Sequence, residues 1–119
     1  VDISDNELTI KKLKEEAARE VKEEIGFDLD ISKLNFLGKR IFGAPGTHAG
    51  RIFLFESKVN PKDKQEPATD NSPMEKFGKV IAIELEDALD WIDKGLIMDP
   101  KTEIGLRRLG KLYECELLR

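Results

Sequence analysis

The sequence is short of the residues that usually form disulfides and metal–thiolate clusters. Among 119 residues there is one cysteine, Cys115, and one histidine, His48. A single thiol excludes a disulfide framework within the chain and a metal site built from several thiolates. Such a chain is typical of the cytoplasm, and Cys115 is expected to be a buried or idle thiol.

The sequence also lacks a long apolar run and an excess of positive charge. No stretch approaches the roughly 18 apolar residues of a membrane span, and no signal-peptide pattern opens the chain. The formal net charge of -4 argues against a surface for nucleic acid. An acidic protein can still bind a phosphorylated substrate when divalent cations lie between the two. We therefore expect neither a membrane nor a nucleic acid as partner.

The composition that remains is that of one small folded domain, 39% hydrophobic and 37% charged. A first helix is predicted over residues 8–26, because apolar residues recur there at spacings of three and four. Gly26 is placed to end this helix in the left-handed conformation. The apolar stripe consists of Ile10, Leu13, Ala17, Val21 and Ile25.

Three strands are predicted next. They cover Leu34–Phe42, Gly50–Val59 and Gly78–Leu85. Residues 60–76 read as a mobile loop rich in proline and polar residues.

Two helices close the chain. The first covers Glu86–Gly95 and places Trp91 in the core, and the second begins with Asp99 as N-cap and Pro100 as first residue. Arg107 and Arg108 are expected on the water-facing side of this last helix. The order α-β-β-β-α-α predicts an α/β fold with helices packed on a small sheet.

Four ionisable side chains crowd the end of the first helix: Arg19, Glu20, Glu23 and Glu24. Glu20 and Glu24 are four residues apart, so they share one side of the helix next to the apolar stripe. Carboxylates this close repel one another unless a cation lies among them, and hard oxygen ligands suit Mg²⁺ or Mn²⁺. Arg19 can pair with Glu23 one turn later and orient it. The alternative is an ordinary solvated helix face, which the charge pattern alone favours. That face is expected to include Lys12, Glu16 and Lys22.

The residue order over 19–27, "REVKEEIGF", resembles the core of the Nudix box. That motif runs Arg-Glu, an aliphatic residue, any residue, Glu-Glu, any residue, Gly and an aliphatic residue. The resemblance implies hydrolysis of a nucleoside diphosphate linked to another group, with water attacking phosphorus. It makes Glu20 and Glu24 ligands of Mg²⁺ (or Mn²⁺). Glu23 becomes a ligand or a supporting carboxylate of the catalytic site, and Arg19 orients it.

Flanking segments are similar to the ADP-ribose and sugar-nucleotide branch of this family, particularly its UDP-sugar diphosphatases. These segments are "VDISDNELTIKKLKEEAAREV", "GAPGTHAGR" followed by "IFLF", and "DPKTEIGLRRL". The resemblance implies a Nudix-like α/β/α sandwich with a mixed sheet, and a homodimer. It also implies a nucleoside diphosphate sugar as substrate, UDP-glucose or ADP-ribose like, which is cut to nucleoside monophosphate and sugar phosphate.

The chain departs from the family pattern before the motif. The full motif has a glycine and a glutamate upstream, where this chain has Asp5 and Lys11, with Glu7 as a displaced alternative to the glutamate. The family domain also has several strands before the motif. Residues 1–119 are therefore interpreted as the C-terminal portion of a Nudix domain without its N-terminal strands. An apolar face or strand edge is then left in need of a partner.

A catalytic base is also implied by the resemblance, as a glutamate on the loop before the last strand. Glu75 has a suitable position, with Glu66 and Asp70 as rivals, and a solvated loop acid is the alternative for each. Other candidates near a diphosphate have ordinary explanations as turn residues or exposed cations. They are His48, Pro45, Gly46, Gly50, Lys39, Arg40 and Arg51.

Two rival functions remain open from the sequence. One is a non-catalytic Nudix-derived module that binds nucleotide or protein. The other is a helical interaction domain, which exposed glutamates with no sheet beside the first helix would support.

Overall fold

The computed structural model describes residues 7–42, 50–65 and 80–117, with only the backbone described at 7, 8, 42 and 115–117. Helix α1 covers Glu7–Glu24, α2 covers Leu85–Asp93 and α3 covers Pro100–Leu117. The strands are short: β1 (Asn35–Phe36), β2 (Ile41–Phe42), β3 (Arg51–Ile52) and β4 (Phe55–Glu56). Strand β1 pairs with β4, and β2 pairs with β3 in antiparallel orientation with Ile41 opposite Ile52. The protein is thus a mixed α/β chain with two small sheets.

Helix α1 ends where the sequence predicts. Its last turn closes with bonds from the backbone N–H groups of Ile25 and Gly26 to the carbonyl of Val21, at 2.8 and 3.0 Å. Gly26 then takes a positive φ of 91°, which a residue with a Cβ adopts only at a steric cost. The predicted left-handed glycine stop is confirmed. The apolar stripe of α1 is half-buried along its length rather than enclosed.

The first two predicted strands are each broken into two. Gly38, with a φ of 76°, interrupts the run between β1 and β2. The run that follows the glycine-rich loop leaves the ladder at residues 53–54, where the Leu54 carbonyl accepts a bond of 2.7 Å from the Leu37 N–H. Phe36 packs its ring on Phe55 at 4.7 Å between centroids.

The third predicted strand, Gly78–Leu85, is wrong over the residues that the structure describes. Residues 80–84 lie in no strand, and Leu85 already opens α2. A strand is stabilised by backbone bonds to a neighbouring strand. Within the described ranges the structure offers residues 81–83 no such neighbour.

Helix α2 ends at Asp93, two residues before the predicted end at Gly95, and Gly95 lies in the left-handed region (φ 77°). Trp91 was predicted to be a core residue, but 36% of its surface is exposed. The buried positions of α2 are Ala88 and Ile92, four apart on the face that packs against α3. Trp91 lies at the border of that face.

Helix α3 begins as the sequence predicts. The Asp99 carboxylate accepts bonds from the Thr102 backbone N–H at 3.1 Å and from the Thr102 hydroxyl at 2.8 Å. These bonds satisfy an N–H that the first helical turn leaves without an intrahelical acceptor. Pro100 occupies the first helical position, where it has no N–H to lose.

The chain divides into two compact units. The first unit comprises Val1–Asn35 with Ser57–Val80, and the second comprises Phe36–Glu56 with Ile81–Arg119. Buried hydrophobic side chains of the described residues are Leu34 in the first unit and Leu37, Ala88 and Ile92 in the second. In the portion of the chain described, no helix is both long and apolar enough to cross a membrane.

The beginning of the loop predicted to be mobile, residues 60–76, has local structure. Residues Pro61–Asp63 form a 3₁₀ turn, and the Asn60 side chain caps it with a bond of 3.0 Å from the Lys62 N–H. Residues 66–76 lie outside the described part of the chain.

Candidate functional site

The candidate site is the C-terminal half of α1, in the first unit. Arg19 donates to the Glu23 carboxylate at 2.8 Å, one turn further along the helix. The guanidinium also pairs with Glu16 one turn earlier. Both carboxylates raise the pKa of Arg19, and the bond from Arg19 is the main reason that the pKa of Glu16 is lowered. The predicted pairing of Arg19 with Glu23 is confirmed.

The sequence assigned Glu16 to the solvated face of the helix, but in the structure it is an ion-pair partner of Arg19. Its side chain is still 58% exposed. Its partner could have been found from the sequence, because Arg19 is three residues away and the two therefore lie on the same side of the helix.

Glu20 and Glu24 lie on a different part of the helix surface. At about 100° per residue, Glu16 and Glu23 lie roughly 40–60° from Arg19, whereas Glu20 and Glu24 lie roughly 100–140° from it. The second pair therefore borders the apolar stripe, beside Leu13 and Ala17. Both glutamates are exposed, and within the described ranges neither forms an ion pair. The helix thus separates two carboxylates that share the Arg19 guanidinium from two that form no ion pair within the described ranges.

The chain after the helix is held against its end. The Gly26 carbonyl accepts a bond of 2.7 Å from the Gln65 N–H. Because Gln65 is far from Gly26 in sequence, this bond holds the end of the segment 57–65 beside the C-terminus of α1, where the motif lies. Lys22 lies 3.9 Å from Asp28 across the same turn, with both side chains exposed.

The donor set fits Mg²⁺ in part. Glu20 and Glu24 offer hard carboxylate oxygens on successive turns, the ligand type that Mg²⁺ prefers. No group of three or more acidic, histidine or cysteine side chains converges among the described residues, so these two do not make a cage by themselves. Mg²⁺ usually retains waters and takes further oxygens from substrate phosphates. The pair therefore suits a cation shared with a diphosphate.

The other candidates are distributed as follows. Glu75, Glu66, Asp70, His48, Pro45 and Gly46 lie outside the described residues, so the base stays a prediction. Lys39, Arg40, Gly50 and Arg51 are exposed and belong to the second unit.

Comparison of the chain with models of protein families, with curated proteins and with solved structures found no match. The likeness to the Nudix box therefore rests on the residue order of 19–27 and on the local geometry of α1.

Proposed function

We propose that this chain belongs to a Nudix hydrolase that cleaves the diphosphate of a nucleoside diphosphate sugar. The products are a nucleoside monophosphate and a sugar phosphate. One observation carries the proposal: Arg19 pairs with Glu23 at 2.8 Å, while Glu20 and Glu24, on adjacent turns just before the left-handed Gly26, form no ion pair within the described ranges. The motif requires these residue types in this order. The helix places the Arg19–Glu23 pair on one side of α1 and the two proposed ligands, Glu20 and Glu24, on another.

The residues of α1 divide the work in this proposal. Glu20 and Glu24 hold Mg²⁺ (or Mn²⁺), which when bound neutralises the diphosphate and lowers the pKa of a bound water. Arg19 fixes the Glu23 carboxylate so that it can accept a hydrogen bond from the attacking water. Water forms the new bond to phosphorus, and the bond from that phosphorus to the bridging oxygen breaks. Glu75 is the proposed base.

The proposal includes the family's architecture and setting. The small sheets and three helices would be part of an α/β/α sandwich, and the protein would act as a cytoplasmic homodimer. Neither nucleic acid nor a membrane is a proposed partner.

The test is an activity assay of the intact protein that contains this chain, with Mg²⁺ and a panel of UDP- and ADP-sugars. Glu20→Gln and Glu24→Gln each remove one carboxylate charge from the site. Substitution of residues that hydrogen-bond to metal ligands typically costs about 10–100-fold in metal affinity or activity. Loss of a ligand itself should cost more, so each variant should lose at least 100-fold in kcat/KM. Chelation of divalent cations should abolish turnover of the wild type, and added Mg²⁺ should restore it.

Glu15→Gln is the matched control. Glu15 lies on the same helix, is exposed, and pairs with Lys11 at 3.8 Å. Its neutralisation should leave kcat/KM within about twofold, since exposed pairs of this kind contribute little. Unchanged turnover in Glu24→Gln would remove the metal-ligand assignment, and inactivity of the wild type on every substrate would favour a binding module.

A helical interaction domain without catalytic activity is the second candidate, and one observation favours it. Glu20, Glu23 and Glu24 are exposed, and among the described residues of the first unit only Asn35 lies in a strand. A charged helix of this kind can present its face to a protein or nucleotide without turnover. The same assay separates this candidate from the hydrolase. A non-catalytic domain should hydrolyse no substrate, whether as wild type or as any variant, and should still bind its ligand.

A further inference from the structure

We propose that an open apolar groove in the second unit binds an extended basic peptide segment, which adds as a strand beside Ile81–Ile83. This inference does not depend on the hydrolase proposal, because the groove and the candidate metal ligands belong to different units.

The groove has a volume of about 740 Å³ and lies between α2, α3 and the segment that leads into α2. Its apolar lining includes Ile81, Ile83, Trp91, Leu106, Leu109 and Tyr113. Four of these remain open to solvent: Ile81 is 61% exposed, Tyr113 39%, Ile83 37% and Trp91 36%. Contiguous exposure of large apolar and aromatic side chains marks a surface that binds a partner.

The backbone beside the groove is available for pairing. Within the described ranges, residues Ile81–Ile83 form no hydrogen bond. Glu84 has an extended backbone (φ -61°, ψ 139°), and Ile81 and Ile83 alternate as they do in a strand. An unpaired strand-like segment beside apolar side chains is the site to which extended peptides add as a new strand.

The charge of the groove selects the sign of the peptide. Glu84 and Asp87 belong to its lining, and among the described lining residues there is no lysine, arginine or histidine. Lys94 at the end of α2 lies 2.7 Å from Asp90, and Arg107 of α3 lies 3.1 Å from Asp93, so both cations are paired with acids outside the described lining. Two carboxylates at an apolar groove whose described lining has no cation favour a peptide that brings lysine or arginine.

These observations define the occupant. It is an extended segment with aliphatic residues at every second position, which face the groove, and with a lysine or arginine at an end, which reaches Glu84 and Asp87. Successive side chains of a strand point to opposite faces, so the residues between the aliphatic ones are free to be polar.

Trp91 is the only tryptophan of the chain, so its fluorescence reports the groove directly. The probe is a synthetic peptide of three valines alternating with threonines, with a lysine pair at each end. Binding should shift the Trp91 emission to shorter wavelength and saturate with peptide concentration. The Glu84→Gln/Asp87→Asn double variant should raise the dissociation constant of the peptide at least tenfold. Methylation of the peptide's backbone nitrogens at alternate residues should also raise the dissociation constant at least tenfold, because the hydrogen bonds between the strands are then lost.

Glu86→Gln and Leu96→Ala are the matched controls. Glu86 is an acid of the same helix outside the groove lining, and Leu96 is a 66% exposed apolar residue outside it. Both variants should bind the peptide as the wild type does. Far-UV circular dichroism of each variant checks that helix content is retained.

Three results would overturn the proposal. Equal affinity for the methylated peptide or for the double variant would show apolar adsorption only. A concentration-dependent dimer in sedimentation that excludes the peptide would assign the groove to a second copy. If acrylamide fails to quench the Trp91 fluorescence before any peptide is added, another segment of the protein already covers the groove.

Discussion

Arg108 connects the last helix to the turn between β1 and β2. Its guanidinium donates to the Leu37 carbonyl at 2.9 Å and to the Lys39 carbonyl at 2.7 Å. Gly38 between them has a φ of 76°, and a Cβ placed there would lie 2.8 Å from the Arg108 Nη1. The turn thus needs both a glycine, for its conformation and its closeness, and a cation, for its carbonyls.

We expect Arg108→Ala to destabilise the protein by about 1–3 kcal/mol, because it leaves the part-buried Leu37 carbonyl without its charged donor. The measurement is urea unfolding followed by circular dichroism. Arg107→Ala is the matched control, since its pairs with Glu103 and Asp93 are both exposed and surface pairs contribute little. Equal losses in the two variants would contradict the role given to Arg108.

The adjacent arginines also show what sequence pattern can and cannot predict at this scale. The pattern assigned Arg107 and Arg108 alike to the water-facing side of α3, and only Arg107 is there. The partners of Arg108 are carbonyls about 70 positions away in sequence, and every residue type carries a carbonyl. Arg19 was predictable because its partner Glu23 lies on the same helix.

At the scale of elements, the position where α3 begins is determined by the cap at its N-terminus. Asp99 accepts two bonds from Thr102, and these are the main reason that its pKa is lowered, with Lys101 contributing less. A carboxylate at a helix N-terminus is also favoured by the helix dipole. The charged form of Asp99 therefore stabilises the start of the helix.

Asp99→Ala should lower the melting temperature at neutral pH by a few degrees, because the first turn loses its cap. Since the pKa of Asp99 is lower in the folded than in the unfolded state, its contribution is complete above the ordinary value of 3.8 and is lost as pH falls through the folded value. The difference in melting temperature between wild type and variant should thus be constant from pH 7 to about 5 and shrink below 3.8.

Asp99→Asn separates the cap from its charge. Asparagine caps helices about as well as aspartate but does not titrate in this range. This variant should retain most of the wild-type stability and show a flatter pH profile. A loss as large as that of Asp99→Ala would show that the charge, rather than the cap bonds, carries the effect.

Helices and their ends were therefore predictable from sequence, while the number and extent of the strands were not. Asp99–Pro100, Gly26 and Gly95 act through their nearest neighbours, so a local pattern is enough to find them. Strands depend on a partner that the pattern does not name. The segment Ile81–Ile83 has the alternation of a strand, but in the described part of the chain no strand pairs with it.

At the scale of the whole molecule, hydrophobic burial is unevenly divided between the two units. Of the buried hydrophobic residues described, Leu34 alone is in the first unit, whereas Leu37, Ala88 and Ile92 are in the second. The α1 stripe is half-buried, while α2 and α3 pack on each other. Where buried apolar contact is sparse, local opening takes less free energy.

Native-state hydrogen exchange should therefore show slower amide exchange in the middle of α2 and α3 than in the middle of α1. Ile92→Ala (7% exposed) should accelerate exchange in α2 and α3, and Leu34→Ala (3% exposed) should accelerate exchange in α1. A loss of about 2 kcal/mol, at the low end for such truncations, corresponds to about thirtyfold faster exchange. If either variant accelerated all three helices equally, the chain would open as one cooperative unit, and the separate stabilities inferred for α1 and for the α2–α3 pair would be wrong.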